Sequence, residues 1–242
     1  PAIGGYVPLE KVYSYEPVPQ ILTPEEAKHI VGIQANLWTE YIPTYSQVEY
    51  MELPRMAALS EVQWTMPEKK EYVDFLKRLP GLIAVYDINQ YNYAKHIFQV
   101  KSQYIPDTEA NVLNVVLSTI DNTPVYYTFD GSEPTASSNI YTDTLKIGQS
   151  CTLKAITIRP NGSSAVLKED IKFNKATMQP ITMQQPINEK YKFEGKNTLI
   201  DGLAGSRNYR TGRWIAFYQN DLEAVIDLQQ ETPISKAWVR TY

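Results

Sequence analysis

The chain has 242 residues, of which 43% are hydrophobic and 21% are charged. These proportions are typical of a soluble globular protein with one large domain or two to three small ones. A net charge of −4 argues against a nucleic-acid partner, because nucleic-acid binding needs a basic surface. No stretch approaches the roughly 20 apolar residues that a membrane helix needs, so we predict no membrane span.

Cysteine and histidine offer no reactive or metal-binding pattern. Cys151 is the only cysteine, so it forms no internal disulfide, and it has no metal-ligating partner nearby in sequence. His29 and His96 are isolated, with no serine or aspartate at a spacing typical of catalysis. We therefore predict no cofactor and assign no metal ligand.

The first hundred residues combine one apolar run with helical patterns. Thr23, Pro24 and Glu26 form the signature of a capped helix start. Residues 30–38, IVGIQANLW, predict a strand with Ile33, Ala35 and Leu37 on one face. Because side chains alternate along a strand, the other face carries Gln34, Asn36, Trp38 and Glu40. A strand with one apolar and one polar-aromatic face fits a (β/α) barrel, whose sites lie at the C-terminal ends of its strands.

Three further helices are predicted downstream of this strand. Residues 46–49, SQVE, form a capping box, and Pro54 should kink the helix that follows or split off its first turn. Residues 65–68, TMPE, predict another helix, which should end at Pro80-Gly81 before a short helix over residues 82–87. One strand followed by helices is typical of the tail of an α/β architecture.

Short alternating strands dominate residues 105–174. Residues 112–119, 125–129 and 153–158 predict strands, with turns at Asp130-Gly131-Ser132 and Pro160-Asn161-Gly162. Tyr127 and Phe129 should face the core. This spacing predicts a small antiparallel sandwich of immunoglobulin-like type.

The last region begins with a linker rich in Met, Gln and Pro and then becomes strand-like. Residues 221–228 alternate, with Leu222, Ala224, Ile226 and Leu228 on one face. Residues 237–242 predict the start of another strand. Because the chain begins at Pro1 without an initiator Met and stops inside this strand, we expect it to be a fragment.

Three regions of the chain resemble parts of one family of multidomain enzymes. GIQANLWTEYI (residues 32–42), EYMELPRMAALSEVQWT (49–65) and the upstream GGYVPLEKVYSYEPVP (4–19) resemble the end of the catalytic (β/α)8 TIM barrel of family 20 β-N-acetylhexosaminidases. YYTFDGSEPT (126–135) resembles the chitobiase/hexosaminidase C-terminal β domain often appended to these enzymes. LIDG, GRW and DLEAVIDL resemble the start of a discoidin-like (F5/8 type C) jelly roll. The implied domains are the barrel end (1–100), the sandwich (105–174), a linker (175–194) and the N-terminal part of the jelly roll (195–242).

The resemblance implies a retaining exo-glycosidase that removes terminal N-acetylglucosamine or N-acetylgalactosamine from glycans. In this family the substrate's own acetamido oxygen attacks the anomeric carbon, while an adjacent Asp-Glu pair on an earlier strand supplies the acid and orients the acetamido group. That pair is not in this chain, so we assign no catalytic residue here. Trp38 matches the tryptophan that walls the sugar pocket, and Glu40 matches the glutamate that binds the sugar hydroxyls.

Each of these assignments has a structural alternative. Trp38 could fill the barrel core, and Glu40 could be a solvated loop charge. Arg55 and Glu61 also match family positions, and we interpret them as buried or interface ion-pair residues. Trp214 and Tyr209 could bind sugar, although packing is the commoner role of such side chains.

The resemblance leaves three wider questions open. Discoidin-like domains often hold one calcium ion, although turn chemistry explains Asp130, Asp201 and Asp221 without a metal. We expect a periplasmic, extracellular or cell-surface location in a bacterium. The alternative to an enzyme fragment is a non-catalytic carbohydrate-binding or scaffolding piece, since two of the three regions resemble accessory domains.

Overall fold

The computed structural model describes residues 7–159, 162–205 and 213–241. The chain divides into two compact units, residues 1–98 and residues 99–242. In the first unit the regular elements of the described residues are helical, whereas the second is built from short strands.

The first unit contains five α-helices and three short 3₁₀ turns in its described residues. The α-helices are α1 (Leu9–Tyr13), α2 (Pro24–Ala27), α3 (Tyr45–Glu52), α4 (Arg55–Trp64) and α5 (Tyr72–Ile88). The 3₁₀ turns are Thr39–Tyr41, Pro67–Lys69 and Lys95–Phe98 in this unit, with a hydrogen-bonded bend before α2.

The bend before α2 has the same hydrogen-bond spacing as a 3₁₀ turn, because the amide of Leu22 donates to the carbonyl oxygen of Pro19 at 3.1 Å. α2 itself begins at the predicted capping box. The hydroxyl of Thr23 accepts from the amide of Glu26 at 3.3 Å, and the Glu26 carboxylate accepts from the amide of Thr23 at 2.9 Å. These reciprocal bonds satisfy amides that have no partner inside the helix, so this helix start is confirmed.

The start of α3 lies two residues before the predicted position. Thr44, not Ser46, is the capping residue, and its hydroxyl accepts from the amide of Gln47 at 3.2 Å. Both residue types cap well, so the sequence alone did not decide between them. The split at Pro54 is confirmed, because α3 ends at Glu52 and α4 begins at Arg55.

The predicted end of a helix at Pro80-Gly81 is wrong, because α5 runs through both residues to Ile88. An interior proline costs a helix about 3 kcal/mol, but buried side chains lie on both sides of it. Each of them contributes roughly 1.5–3 kcal/mol on burial, which outweighs the lost hydrogen bond. These side chains are Phe75, Leu79, Ile83 and Tyr86. The predicted start of this helix at residues 65–68 is also wrong, since only the 3₁₀ turn Pro67–Lys69 forms there and α5 begins at Tyr72.

The predicted strand over residues 30–38 is not formed. Within the described part of the first unit this segment has no regular secondary structure, and no strand runs beside it. Val31 is 97% exposed. A strand is stable only when a neighbouring strand takes up its backbone hydrogen bonds, and an apolar alternating sequence does not replace that partner.

The second unit contains ten short strands in its described residues, all paired in antiparallel ladders apart from one isolated bridge. The strands are β1 (Lys101–Asp107), β2 (Val112–Ser118), β3 (Val125–Thr128), β4 (Asn139–Ile140), β5 (Leu145–Ile147), β6 (Cys151–Arg159), β7 (Gly162–Ser163), β8 (Leu167–Ile171), β9 (Ile181–Met183) and β10 (Ala224–Ile226). One sheet has the order β1-β2-β5. A second has the order β4-β3-β6-β7, with β8 also paired to β6.

Both of these sheets contribute to a single hydrophobic core. Leu113 and Val115 of β2 belong to the same buried cluster as Leu153 and Ala155 of β6. The spacing of two places each pair on one face of its strand. Residues 101–171 therefore form a two-layer antiparallel sandwich.

The three strands predicted in this region are confirmed to within two residues at each end. The turn at Asp130 is confirmed as well, because its carboxylate accepts from the amide of Ser132 at 2.9 Å and Gly131 has a φ of +80°. Tyr127 packs against the core as predicted. Phe129 does not, because it is 38% exposed and lies edge-on to Tyr127 at 5.2 Å. Pro160 and Asn161 of the second predicted turn lie outside the described residues.

The last region contains less regular structure than its sequence predicts. β10 spans only three of residues 221–228, and it pairs with β9, which lies inside the predicted linker. Leu222 is exposed, but Ala224, Ile226 and Leu228 of the predicted face are half-buried, and Val225 of the opposite face is exposed. The predicted alternation therefore holds over residues 224–228. Residues 237–241 contain no strand, and Tyr242 lies outside the described residues.

Candidate functional site

Trp38 and Glu40 lie at the end of the extended segment of the first unit. Trp38 is 64% exposed and immediately precedes the 3₁₀ turn Thr39–Tyr41, which contains Glu40. The amide of Ile42 closes this turn by donating to the carbonyl oxygen of Thr39 at 3.0 Å. The backbone therefore leaves the extended conformation directly after Trp38, and strand alternation does not place the two side chains on one face. Both side chains are nevertheless accessible to a ligand.

One side-chain hydrogen bond ties this segment to helix α4. The Gln63 side-chain amide donates from Nε2 to the carbonyl oxygen of Ile33 at 2.8 Å. Helix α4 in turn buries Ala58 and Val62 within the first unit. The segment that carries Trp38 is thus hydrogen-bonded to a packed helix at Ile33, five residues before the tryptophan.

Glu61 joins three elements through its carboxylate. Its Oε1 accepts from the Tyr13 hydroxyl at 3.2 Å and from Nη2 of Arg78 at 2.5 Å. Nε of Arg78 also donates to Asp74 at 3.0 Å. Burial and the hydrogen bond to Glu61 raise the pKa of Tyr13, and the hydrogen bond to Glu61 raises the pKa of Arg78 further above its usual range. The prediction that Glu61 is an ion-pair residue is confirmed.

Arg55 does not form the predicted ion pair. Its guanidinium donates to two backbone carbonyl oxygens, that of Val7 from Nε at 2.9 Å and that of Met51 from Nη1 at 2.7 Å. Arg55 therefore fastens the chain before α1 to the C-terminal part of α3. The sequence could not show this, because carbonyl acceptors are present at every residue.

The two histidines lie in different surroundings. His96 is half-buried, with its Nδ1 at 3.3 Å from the Tyr50 hydroxyl. Burial lowers the pKa of His96, and the charge of Arg55 lowers it further, so the ring is neutral at pH 7. His29 is exposed.

A second charged cluster lies in the second unit, and no sequence pattern predicted it. Arg213 forms a bidentate ion pair with Glu169, at 2.9 Å from Nη1 and 2.6 Å from Nη2. The guanidinium carbon lies 4.4 Å from the ring centroid of Tyr104, whose hydroxyl donates to Glu169 at 3.1 Å. Burial raises the pKa of Tyr104 to about 12, with a further contribution from Glu169. These three residues come from distant positions, and no motif joins them.

The aspartates considered for calcium are far from equivalent. Asp130 and Asp221 are exposed, whereas Asp201 is buried. Hydrogen bonds from Ser132 lower the pKa of Asp130. Within the described residues, no group of three or more His, Cys, Asp or Glu side chains is arranged to hold a metal ion.

The aromatic residues considered for sugar binding are only partly described. Trp214 is half-buried, and the guanidinium of Arg240 lies 5.9 Å from the centroid of its ring. Tyr209 lies outside the described residues. A cation packed over an indole ring is a common structural contact of tryptophan side chains.

Comparisons with known proteins bear on both units. Residues 1–67 match the family model of the glycosyl hydrolase family 20 catalytic domain. They are a segment of such a domain. Residues 115–171 match the family described as Fn3 associated. Trp38 and Glu40 both lie inside the family 20 segment, as do Arg55 and Glu61.

Three relatives cover different lengths of the chain. A β-hexosaminidase of Porphyromonas gingivalis is 34% identical over 189 residues, which are 77% of this chain and 24% of the relative. A β-N-acetylhexosaminidase of Cellulomonas fimi is 35% identical over 78 residues, 31% of this chain and 15% of the relative. A β-hexosaminidase of Vibrio furnissii is 41% identical over 60 residues, 24% of this chain and 10% of the relative. The chain thus spans about a quarter or less of the length of these relatives.

The described helices of the family 20 segment do not include a membrane span. None of the helices in the described parts of the chain is both long and apolar enough to cross a bilayer.

Proposed function

We propose that the chain is part of a retaining exo-β-N-acetylhexosaminidase that removes terminal N-acetylglucosamine or N-acetylgalactosamine from glycans by substrate-assisted catalysis. The observation that carries the proposal is the family 20 match over residues 1–67. The names of the relatives agree with it, since each is a hexosaminidase. The chemistry itself belongs to an Asp-Glu pair on another strand, so this chain contributes to substrate binding.

Trp38 and Glu40 are the proposed substrate-binding residues. An indole face packs against the apolar C–H surface of a pyranose, and a carboxylate accepts hydrogen bonds from two neighbouring hydroxyls. Hydrogen bonds to a charged group contribute roughly 1.5–3 kcal/mol each when they are well made. The exposure of Glu40 within a short turn and of Trp38 immediately before that turn supports such a subsite.

The domain arrangement is part of the same proposal. Residues 1–100 supply the C-terminal part of the TIM barrel, and residues 105–174 form an immunoglobulin-like accessory sandwich of the chitobiase C-terminal type. Residues 175–194 link this sandwich to the N-terminal part of a discoidin-like jelly roll at residues 195–242. The two-layer sheet packing supports the sandwich assignment. A calcium ion in the jelly roll and a periplasmic or cell-surface location complete the proposal.

The test uses the longer protein that contains the missing barrel strands. Glu40→Gln and Trp38→Ala should each weaken transition-state binding by about 2–4 kcal/mol. The readout is kcat/KM on a chromogenic N-acetylglucosaminide. Glu68→Gln, at an exposed glutamate of another turn, and Trp238→Ala, at an exposed tryptophan of the second unit, are matched controls that should leave kcat/KM unchanged.

Two results would contradict the proposal in different ways. Unchanged kinetics for both site variants would mean that neither residue lines the subsite. Absence of glycosidase activity in the folded longer protein would favour the carbohydrate-binding or scaffolding alternative. The 242-residue chain alone should show no turnover, and measurable turnover by a sample free of other glycosidases would contradict the placement of these residues at the end of the barrel.

A further inference from the structure

The chain that follows the sandwich returns to it at one short turn. The amide of Lys172 donates to the carbonyl oxygen of Gly202 at 2.8 Å, and the amide of Met178 donates to that of Ile200 at 2.9 Å. Ile200 and Met178 are both buried, and Met178 belongs to the sandwich core. We call the two hydrogen-bonded segments together the clip: residues 172–178 and residues 200–203.

The clip is closely packed around Gly202. This residue has a φ of +76°, and a Cβ atom placed on it would lie 3.0 Å from the carbonyl oxygen of Lys172 and 3.3 Å from Cγ2 of Thr177. The clip is therefore a closely packed contact between segments at least 22 residues apart in sequence.

Asp201 lies at the centre of the clip with only 2% of its surface exposed. One carboxylate oxygen accepts from the amide of Leu203 at 2.8 Å. The charged groups that face it are Glu169 of β8, Glu194 before the 3₁₀ turn Gly195–Leu199, and Arg213. Arg213 donates its two hydrogen bonds to Glu169 and not to Asp201, although its charge still opposes the rise in the pKa of Asp201.

We propose that protonation of Asp201 controls the clip. Its two segments stay hydrogen-bonded while Asp201 is neutral, and they separate more readily when Asp201 ionises. The geometry supports this directly. A buried carboxylate needs hydrogen bonds or a counter-charge, and the described surroundings provide one amide, two carboxylates and one guanidinium that is paired elsewhere.

The direction of the pH effect follows from the same surroundings. Burial raises the pKa of Asp201 to about 7, Glu169 and Glu194 add to the rise, and the Leu203 amide and Arg213 oppose it. A carboxyl group of an open chain has a pKa near 4, so the closed clip binds a proton that the open clip releases. The closed form is therefore favoured most at about pH 4 and below, and this advantage is lost as the pH rises towards 7.

Arg213 limits how far the clip opens. Its bidentate pair with Glu169 and its position over the Tyr104 ring are contacts with residues other than Asp201. The chain after the clip is thus also held to the sandwich at Arg213, through its ion pair with Glu169 of β8. Ionisation of Asp201 is expected to free residues 200–203 from the sandwich while the Arg213 contact remains.

The test is hydrogen exchange of the full 242-residue chain at pH 5, 6, 7 and 8 with a chelator present, corrected for the intrinsic pH dependence of exchange. Protection of the Lys172 and Met178 amides should fall by roughly tenfold to a hundredfold between pH 5 and pH 8. In Asp201→Asn, which is neutral throughout, their protection should change little. Asp221→Asn, at an exposed aspartate of the same unit, should behave like the wild type.

The other possible outcomes either support or contradict the role proposed for Asp201. Wild-type protection that does not vary with pH overturns it, and this measurement stands alone if Asp201→Asn fails to fold. If calcium restores wild-type protection at pH 8 but has no effect on Asp201→Asn, the negative charge of Asp201 is the cause of the loosening, which supports the proposal. Equal loss of protection in wild type and Asp201→Asn would assign the pH dependence to another group.

Discussion

The two units differ in how their apolar side chains are covered. In the second unit, side chains from two facing sheets enclose one another, and Leu113, Val115, Leu153 and Ala155 are all fully buried. In the first unit, Val31, Trp38 and Trp64 are largely exposed although the helices nearby are well packed. The exposed residues lie on the segment predicted to be a barrel strand and on the C-terminal end of α4.

The contrast follows from where each strand finds its partner. Antiparallel strands pair with neighbours that a short turn brings back, so β2 meets β1 and β3 meets β4 within a few tens of residues. A parallel barrel strand needs neighbours on both sides that are separated from it by a helix each. The first unit has no such neighbour among its described residues. Local sequence is therefore sufficient for the sandwich and insufficient for the barrel segment.

The largest expected effect is a difference in hydrogen exchange between the two units of this chain. Amides of the strands within residues 112–158 should exchange at least ~100-fold more slowly than those of residues 30–38, because only the former lie in paired strands around a buried core. The measurement is exchange followed by mass spectrometry at one pH. Strong protection of residues 33–37 in a monomeric chain would contradict both the contrast and the barrel assignment.

Supplying the barrel should reverse this difference. In a longer protein that includes the neighbouring strands, the same amides of residues 30–38 should become as protected as those of β2. If they remain unprotected in a folded and active enzyme, the segment is a loop in its native setting. The exposure of Trp38 would then be a property of the intact site as well.

A matched pair of valines tests the same contrast by stability. Val115→Ala removes two carbons from the sandwich core, where the side chain is fully buried, and should lower the free energy of unfolding of the second unit by about 2–3 kcal/mol. Val31→Ala removes the same two carbons from an exposed position and should change stability by less than about 0.5 kcal/mol. Urea unfolding followed by circular dichroism measures both. Equal costs would show that residue 31 is buried in solution.

Most of the sandwich could be predicted from the sequence because its signals are local. Alternation located three strands, and Asp-Gly located the turn at Gly131. Phe129 was placed wrongly because it is the last residue of an alternating run and lies beyond the end of β3. At Pro80 the sequence predicted a helix end that does not form. The burial of Leu79 and Ile83 is a tertiary effect that outweighs the local helix breaker.

The candidate site divides in a similar way. Trp38 and Glu40 were found through a resemblance of short motifs, and the family 20 match covers both residues. Their roles in substrate binding stay a prediction. The clip around Asp201 and the Glu169–Arg213 pair could not be found, because each joins residues far apart whose sequence neighbours carry no shared pattern. Burial of Asp201 is visible only once the sandwich and the chain after it are folded together.

The smallest effect is expected at a pair of glycines, one from each unit. Gly131 has a φ of +80°, and a Cβ atom there would lie 3.3 Å from Cβ of Thr152. Gly131→Ala should therefore lower the stability of the second unit by about 1–2 kcal/mol. Gly32 has no atom within 4 Å of a built Cβ and no positive φ, so Gly32→Ala should be neutral or slightly stabilising. Thermal unfolding of both variants decides the point: a neutral Gly131→Ala would mean that the Asp130 turn relaxes, and a destabilising Gly32→Ala would mean that residues 30–38 have close neighbours in solution.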